Sequence, residues 1–199
     1  LKDIKGKFEE FMLSVMSEIV RHKKGNISEG VSEMNHYVDN RDYRNVAQGR
    51  ILIIDRQVSF KGLRIDLLGL KKLDNNKFTF VIIELKNKQN KEIEAVFSQT
   101  KDYLDILWKY YEDFRDTYSL ILNQKIQLRL LDRKNKGEIV EKSALSKDKI
   151  ECIVILDNYN LLSTRLRESL KDWEQVNKFH DIKLFLKTNT LDNRFFLSY

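Results

Sequence analysis

Three charged residues, Asp66, Glu84 and Lys86, stand in otherwise apolar segments between Gly62 and Asn87. The stretch reads G-L-R-I-D-L-L-G-L, a polar turn, then F-T-F-V-I-I-E-L-K-N, which predicts two consecutive β-strands. Side chains alternate along a strand, so Glu84 and Lys86 share one face. The turn Leu70–Lys77 is short enough to make the strands antiparallel neighbours, which predicts that Asp66 lies beside that pair.

Two carboxylates and a lysine on one spot suit the hydrolysis of a phosphodiester. Asp66, Glu84 and the backbone carbonyl of Leu85 offer the hard oxygen donors that Mg²⁺ prefers, and we expect Mn²⁺ to substitute for it. Such a metal polarises a phosphate and acidifies a bound water, which Lys86 would orient or help to deprotonate. The spacing therefore predicts a metal site at Asp66, Glu84 and Leu85, with Lys86 as the water-activating residue.

A structural interpretation of the same charges stays open from sequence alone. Glu84 and Lys86 would then form a solvated salt bridge on an edge strand, which contributes little stability, and Asp66 would be a turn residue. Phe80 and Ile82 share the face of Glu84, however, which predicts that this face is buried. Because burying charges without a partner is unfavourable, the pattern favours a metal or substrate site.

The next segment predicts a helix from about Glu92 with one polar residue, Gln99, on its inward face. The inward stripe recurs at three- and four-residue steps: Val96, Gln99, Tyr103, Leu107 and Tyr110. A buried amide needs a hydrogen-bond partner, so Gln99 is predicted to orient the reactive water or the phosphate, with a bond to backbone as the alternative. Tyr103 would brace Gln99 or pack as core.

Asp66 followed by Glu84-Leu85-Lys86 resembles the D…(E)xK signature of the PD-(D/E)XK nuclease superfamily, which has a restriction-endonuclease-like fold. The strings G-L-R-I-D-L-L-G and V-I-I-E-L-K are similar to the NucS-like branch. Members often carry a Q-x-x-x-Y helix after the second strand, and Gln99 and Tyr103 stand at that place.

The resemblance covers roughly Ile51 to Tyr110 and departs from the pattern at Ile65, where the family often has proline. It implies a Mg²⁺-dependent endonuclease that acts on DNA. Superfamily members also often place a glutamate of the first helix at the edge of the metal site, and Glu9 is the candidate here. A glutamate that only supports the start of the helix is the alternative.

The sequence also supports predictions for residues outside the Asp66–Glu84–Lys86 cluster and the Gln99 helix. Five arginines are candidate phosphate contacts or ordinary surface charges: Arg41, Arg44, Arg50, Arg56 and Arg64. His36 has no second ligand at metal spacing and is predicted to be a surface or loop histidine, and Trp108 is predicted to serve only in packing. Gly62 and Gly69 fit places where the backbone turns or closely approaches another segment.

The order of elements predicts a single α/β domain over residues 1–199, with a central mixed sheet of about four to five strands flanked by helices. The predicted elements are a helix over Asp3–Lys24, a short helix around Val31–Val38, a meander that begins with Arg50–Val58, the helix from Glu92, a helix over Asp113–Asp132 with a strand left open at its end, a strand over Ile150–Leu156, a helix over Ser163–Val176, and strands over Ile182–Lys187 and Arg194–Tyr199.

Composition agrees with one well-formed core: the chain has 199 residues, of which 42% are hydrophobic. Its net charge of +6 is compatible with a polyanionic partner. The single cysteine, Cys152, excludes an internal disulfide and is expected to be buried, which fits a reducing compartment such as the cytoplasm. No apolar run reaches the roughly 20 residues that a membrane span requires, so no membrane partner is expected.

These observations predict a Mg²⁺-dependent endonuclease of DNA, acting in defence, restriction or repair, with RNA left open as a substrate. A homodimer would be needed to cut both strands of a duplex, because one such site cuts one strand. A nucleic-acid-binding module that kept the fold without catalysis is the competing interpretation, and a scaffold that binds a partner protein is a third.

Overall fold

The computed structural model describes residues 50–73, 77–87, 95–128, 130–131, 140–147, 150–157 and 182–187, with positions 32, 33, 36, 37, 40, 164, 168, 171 and 174. Five strands form one sheet in chain order: β1 (Leu52–Phe60), β2 (Leu63–Lys72), β3 (Phe78–Asn87), β4 (Glu151–Asp157) and β5 (Ile182–Lys187). Two helices, α1 (Val96–Lys109) and α2 (Tyr111–Gln127), and a short 3-10 helix (Lys142–Ala144) lie between β3 and β4 in sequence. The prediction of an α/β fold with a mixed sheet of this size is confirmed.

The sheet changes from antiparallel to parallel at β3. The first three strands form an antiparallel meander, whereas β3, β4 and β5 run parallel to one another. A short turn can connect antiparallel strands, but parallel neighbours need a crossover, which the segment containing α1 and α2 provides. As a result β3 lies in the middle of the sheet, with β2 on one side and β4 on the other.

Both faces of the central strands are buried. One core packs the sheet against α1 and α2; here the Phe80 and Phe114 rings meet edge to face with centroids 5.0 Å apart. The second core, on the opposite face, contains Ile83 and Leu85 of β3. Because Phe80 and Ile82 belong to the first core, the alternation along β3 places Glu84 and Lys86 on the face that α1 and α2 cover.

Helix α2 ends earlier than its sequence pattern predicts. It stops at Gln127 rather than near Asp132, and the N–H of Leu130 donates to the carbonyl of Lys125, five residues back, at 2.8 Å. This turn brings Leu131 into the core with 1% of its surface exposed. The apolar spacing that led to the longer predicted helix therefore includes Leu131, which lies beyond the end of the helix. The alternative prediction of a strand at this place is wrong.

Several predicted elements fall wholly or partly outside the described residues. The helix over Asp3–Lys24 and the strand over Arg194–Tyr199 lie there entirely. Within the helix predicted over Ser163–Val176, the four described positions are helical, as are the four of the short helix predicted around Val31–Val38. No helix in the described ranges is both long and apolar enough to cross a membrane.

The prediction of a surface or loop position for His36 is wrong. His36 is helical and has only 2% of its surface exposed. Asn40 donates through Nδ2 to the His36 carbonyl at 3.0 Å and accepts from the N–H of Ile53 at 2.8 Å, so this segment lies against β1. Trp108, for which no role beyond packing is predicted, is 51% exposed, and the Lys147 ammonium lies 4.6 Å from its ring centroid.

A β-bulge in β1 gives α2 a polar anchor. The pairing with β2 shifts between Ile53 and Asp55, which leaves Ile54 as the extra residue. The Lys125 ammonium of α2 donates to the carbonyl of Ile54 at 2.7 Å and pairs with Asp55 Oδ1 at 2.9 Å. The helix is thereby tied to the strand where the regular ladder is interrupted.

Glycine is required at two positions of the meander, as the sequence predicted. Gly62 has a φ of 86° in the turn between β1 and β2. At Gly69 a Cβ atom would lie 2.6 Å from the Cγ2 methyl of Ile51, whose side chain is fully buried. The absence of a side chain at Gly69 is therefore a packing requirement of β2.

Substitution of Gly69 by alanine is expected to lower the free energy of unfolding by about 1–3 kcal/mol, because the new methyl overpacks a fixed core. Urea unfolding of Gly69→Ala against the wild type measures this. In an Ile51→Ala background the loss should shrink, since the opposing methyl is gone. An unchanged loss in that background would contradict the steric explanation.

Candidate active site

The candidate site lies where the ladder between β2 and β3 ends. The two strands pair from Lys72 with Phe78 to Leu67 with Ile83, and the same register makes Asp66 and Glu84 the next pair. There the Asp66 carboxylate accepts a hydrogen bond through Oδ2 from the N–H of Leu85 at 2.9 Å. A side chain thus takes the place of a ladder bond, and Asp66 lies beside the E-x-K segment, as the register of the predicted hairpin requires.

Glu84 and Lys86 form a buried ion pair. The Lys86 ammonium lies 2.8 Å from Glu84 Oε1, and the exposed fractions are 1% for Glu84, 5% for Lys86 and 8% for Asp66. β3 is the third of five strands. The alternative of a solvated salt bridge on an edge strand is therefore wrong, and Asp66 lies within β2 rather than in a turn.

The backbone of Leu85 faces the same gap as Asp66. Within a strand the N–H and C=O of one residue point to the same neighbouring strand. Because the Leu85 N–H reaches Asp66 of β2, the Leu85 carbonyl is directed to that side as well. Its side chain packs in the opposite core with Ile83 and Ile155. This orientation is the one that a carbonyl ligand beside Asp66 would need.

Helix α1 holds Gln99 and Tyr103 over this region. Gln99 Nε2 donates to the Tyr103 hydroxyl, which in turn donates to the carbonyl of Arg64 at 2.7 Å. Arg64 is two residues before Asp66, so the hydroxyl joins α1 to β2 next to the site. Tyr103 does both things predicted for it, since its ring is buried in the core and its hydroxyl accepts from Gln99. Gln99 is bonded to a side chain rather than to backbone.

The carboxylates influence the neutral groups around them. The pKa of Tyr103 is raised to about 12, first by burial and then by the negative charge of Glu84, with a smaller effect from Asp66. Burial and the charge of Glu84 also raise the pKa of the Cys152 thiol. At neutral pH Tyr103 is therefore a protonated donor and Cys152 a buried thiol, as predicted for a small packing residue.

The oxygen atoms of Asp66, Glu84 and the Leu85 backbone fit a divalent cation whose remaining ligands would be water and a substrate phosphate. No group of three or more His, Cys, Asp or Glu side chains in the described part of the chain is arranged to hold a metal. The set is two carboxylates and the Leu85 carbonyl, and Mg²⁺ commonly binds through one or two carboxylates, water and substrate phosphate. Each carboxylate has about four lone-pair sites, so Asp66 and Glu84 can accept the bonds described and also ligate a cation. Glu9 lies outside the described residues.

A polar network that no local sequence pattern predicts borders the site. Glu33, which is 2% exposed, accepts from Arg56 Nε at 2.8 Å and from Gln57 Nε2, and the Oε1 of Gln57 accepts from Arg64 Nε at 2.7 Å. Arg56 is therefore paired with an acid, whereas Arg64 is exposed beside the site. No local spacing signals Glu33, because it lies 23 residues before Arg56. Arg41 and Arg44 fall outside the described residues.

No protein-family model matches this chain. A search of solved structures likewise found no match. The resemblance to the PD-(D/E)XK superfamily accordingly depends on the residues quoted above and stays a prediction.

Substitution of Tyr103 by phenylalanine is expected to lower the free energy of unfolding by about 1 kcal/mol at pH 7, because the Arg64 carbonyl loses its donor and Gln99 its acceptor. Above pH 10 the wild type should lose this advantage. A tyrosine whose pKa is raised on folding contributes stability that is complete below its unfolded pKa of roughly 10 and is lost as the pH rises through about 12. Urea unfolding between pH 7 and pH 12 measures both effects.

Tyr118→Phe is the matched control, since burial first and then Asp55 raise the pKa of Tyr118 to about 12 as well. Both substitutions should flatten the alkaline fall in stability. Only Tyr103→Phe should release the Gln99 side chain, seen as a shift of its amide protons by NMR. Equal shifts in both variants would contradict the bracing role.

Proposed function

We propose that this protein is a metal-dependent nuclease that hydrolyses phosphodiester bonds in DNA. The observation that carries the proposal is the buried cluster of Asp66, Glu84 and Lys86 at the end of the β2–β3 ladder. Buried ion pairs are poor contributors to stability, so three adjacent buried charges favour a chemical role. Together the three side chains carry one net negative charge, which a divalent cation would compensate.

Each residue of the cluster has a role that its contacts support. Asp66, Glu84 and the Leu85 carbonyl would hold Mg²⁺, with Mn²⁺ as a substitute. When bound, the cation supplies charge stabilisation at the phosphate and a more acidic water. The Lys86 ammonium, held 2.8 Å from Glu84 Oε1, would orient the attacking water and take part in moving its proton.

Gln99 would contact the water or the scissile phosphate from above the sheet. Its amide nitrogen is held by the Tyr103 hydroxyl, which limits its rotation, and the amide is half-buried rather than enclosed. A positioned amide of this kind lowers the barrier by orienting the reactants. In this proposal Gln99 acts from α1 together with the metal ligands and Lys86 of β2 and β3.

DNA is the proposed substrate, with RNA as the alternative to be tested. The net charge of +6 and the exposed Arg64 beside the site support a polyanionic substrate. Restriction, defence and repair are the biological settings we propose. Cutting both strands of a duplex would require two sites, and so a homodimer.

The test is a cleavage assay on supercoiled plasmid, linear duplex, single-stranded DNA and RNA, with Mg²⁺, with Mn²⁺ or with EDTA. We expect cleavage only with metal, and a loss of about 10²- to 10⁴-fold in Lys86→Ala. Lys71→Ala is the matched control, because Lys71 also pairs with a glutamate at 2.8 Å, Glu151, away from the site.

The outcomes separate the proposal from its competitors. Cleavage that survives Lys86→Ala removes Lys86 from the mechanism. DNA binding without cleavage under any condition would favour a binding module on the same fold. Failure to cleave any substrate, together with no Mn²⁺ binding by calorimetry, would overturn the proposal.

A further inference from the structure

Gln57 has an unusual backbone conformation opposite Asp66. β1 and β2 pair through Arg56 with Leu67 and through Val58 with Ile65, which places Gln57 across from Asp66. The φ angle of Gln57 is 50°, in the left-handed region that residues other than glycine rarely adopt inside a strand. Strain of this kind persists only where the surroundings enforce it, and it is common at functional sites.

The strand alternation breaks at this same position. Ile65 and Leu68 of β2 both belong to the core under α1 and α2, although they are three residues apart, whereas Leu67 belongs to the opposite core. In a regular strand Ile65 and Leu67 would share a face. Irregularities of this kind change the direction of a side chain. Asp66 lies where the alternation breaks, between Ile65 in one core and Leu67 in the other.

The Gln57 side chain is held at both ends of its amide. Its Nε2 donates to the buried carboxylate of Glu33, and its Oε1 accepts from Arg64 Nε at 2.7 Å. Glu33 is itself fixed by Arg56 at 2.8 Å. Arg56 is the residue before Gln57 in β1, and it holds Gln57 through Glu33. Arg64 lies two residues before Asp66 in β2, and it bonds to Gln57 directly. The clamp can therefore maintain the left-handed backbone.

We propose that Gln57 is a positioning residue for Asp66. Its left-handed backbone, clamped by Glu33 and Arg64, interrupts the β1–β2 alternation and directs the Asp66 carboxylate into the gap where it accepts from the Leu85 N–H. The catalytic meaning of this arrangement rests on the proposed function, but the arrangement itself can be tested without catalysis.

The test is hydrogen exchange of the Leu85 amide, followed by NMR in metal-free protein. Gln57→Val removes the clamp and disfavours a positive φ, whereas Gln57→Gly removes the clamp but permits it. Lys61→Val is the matched control: Lys61 also has a positive φ, 48°, but lies in the exposed turn between β1 and β2. Both valine variants should lose stability from the disfavoured positive φ, and Gln57→Val should lose more because the buried Glu33 also loses a donor. Leu85 exchange is therefore expressed relative to the exchange of core amides in the same variant.

We expect Leu85 exchange in Gln57→Val to be faster than in Lys61→Val by about ten-fold or more, with Gln57→Gly between the wild type and Gln57→Val. Equal exchange in the two valine variants would overturn the inference, since it would report only global destabilisation. An effect of Gln57→Gly as large as that of Gln57→Val would overturn the role assigned to the left-handed backbone.

Cleavage assays on the same variants separate this inference from the proposed function. We expect Gln57→Val to lower kcat with little change in KM, and Lys61→Val to retain both values. A wild-type protein that does not cleave would end the proposed function, while Leu85 exchange would still decide whether Gln57 positions Asp66. Unchanged Leu85 exchange in Gln57→Val would overturn the inference whatever the activity.

Discussion

Replacement of Lys86 by methionine is expected to lower the free energy of unfolding by about 3–5 kcal/mol at pH 7. Methionine fills a similar volume but removes the ammonium that lies 2.8 Å from Glu84 Oε1. Glu84 is only 1% exposed, so its charge would stay buried without this partner. Urea unfolding followed by circular dichroism measures the loss.

A second substitution tests the cause of that loss. Glu84→Leu combined with Lys86→Met should recover most of the stability, because apolar residues of similar size often replace a buried ion pair at no net cost. The double variant should nevertheless not cleave DNA. A folded, stable and inactive protein would separate the chemical role of the pair from its contribution to stability.

Lys71→Met is the control for the single substitution. The Lys71–Glu151 pair has the same 2.8 Å separation, but its side chains are 18% and 12% exposed, so it is less completely buried than the Glu84–Lys86 pair. We expect a smaller loss there, because the charge left behind on Glu151 is less completely removed from solvent. A loss in Lys86→Met no greater than in Lys71→Met would contradict the effect assigned to burial.

Asp66→Asn is expected to reduce kcat/KM for DNA about a thousandfold, which corresponds to roughly 4 kcal/mol of transition-state stabilisation. Asparagine has the same size and keeps an oxygen that can accept from the Leu85 N–H. It removes the negative charge that would attract a divalent cation. Cleavage kinetics in Mg²⁺ and Mn²⁺ binding by calorimetry should therefore fall together, while unfolding changes little.

Asp55→Asn gives the comparison on the neighbouring strand. Asp55 pairs with Lys125 at 2.9 Å and anchors α2 at the bulge of β1. Its substitution should affect stability and leave cleavage intact. Wild-type cleavage by Asp66→Asn would remove Asp66 from the proposed metal ligands.

The local part of the candidate site could be predicted from the sequence because it depends on periodicity. Alternation places Glu84 and Lys86 on one face, and a short turn brings Asp66 across from them. Helical spacing likewise places Gln99 and Tyr103 on one side of α1. Each relation involves residues joined by one strand, one hairpin or one helix.

The burial of the Glu84–Lys86 pair could not be predicted from such local relations. Lys86 lies opposite Leu156 of β4, a neighbour that arrives only after α1 and α2. Sequence alone left β3 as either an edge or a central strand, and only its pairing on both sides decided that the charges are enclosed. The wrong prediction for His36 has the same origin, since Asn40 and β1 bring that segment inside.

The sequence alone determined the meander of the first three strands, including the hairpin that carries Asp66. It also determined the shared face of Glu84 and Lys86, because alternation and turn length act over a few neighbouring residues. Only the tertiary structure decided that these charges are buried in the middle of a five-stranded sheet and that Glu33, 24 residues before Gln57, holds the side chain of Gln57. Those relations join residues far apart in the chain, and no local pattern encodes which distant segments will meet.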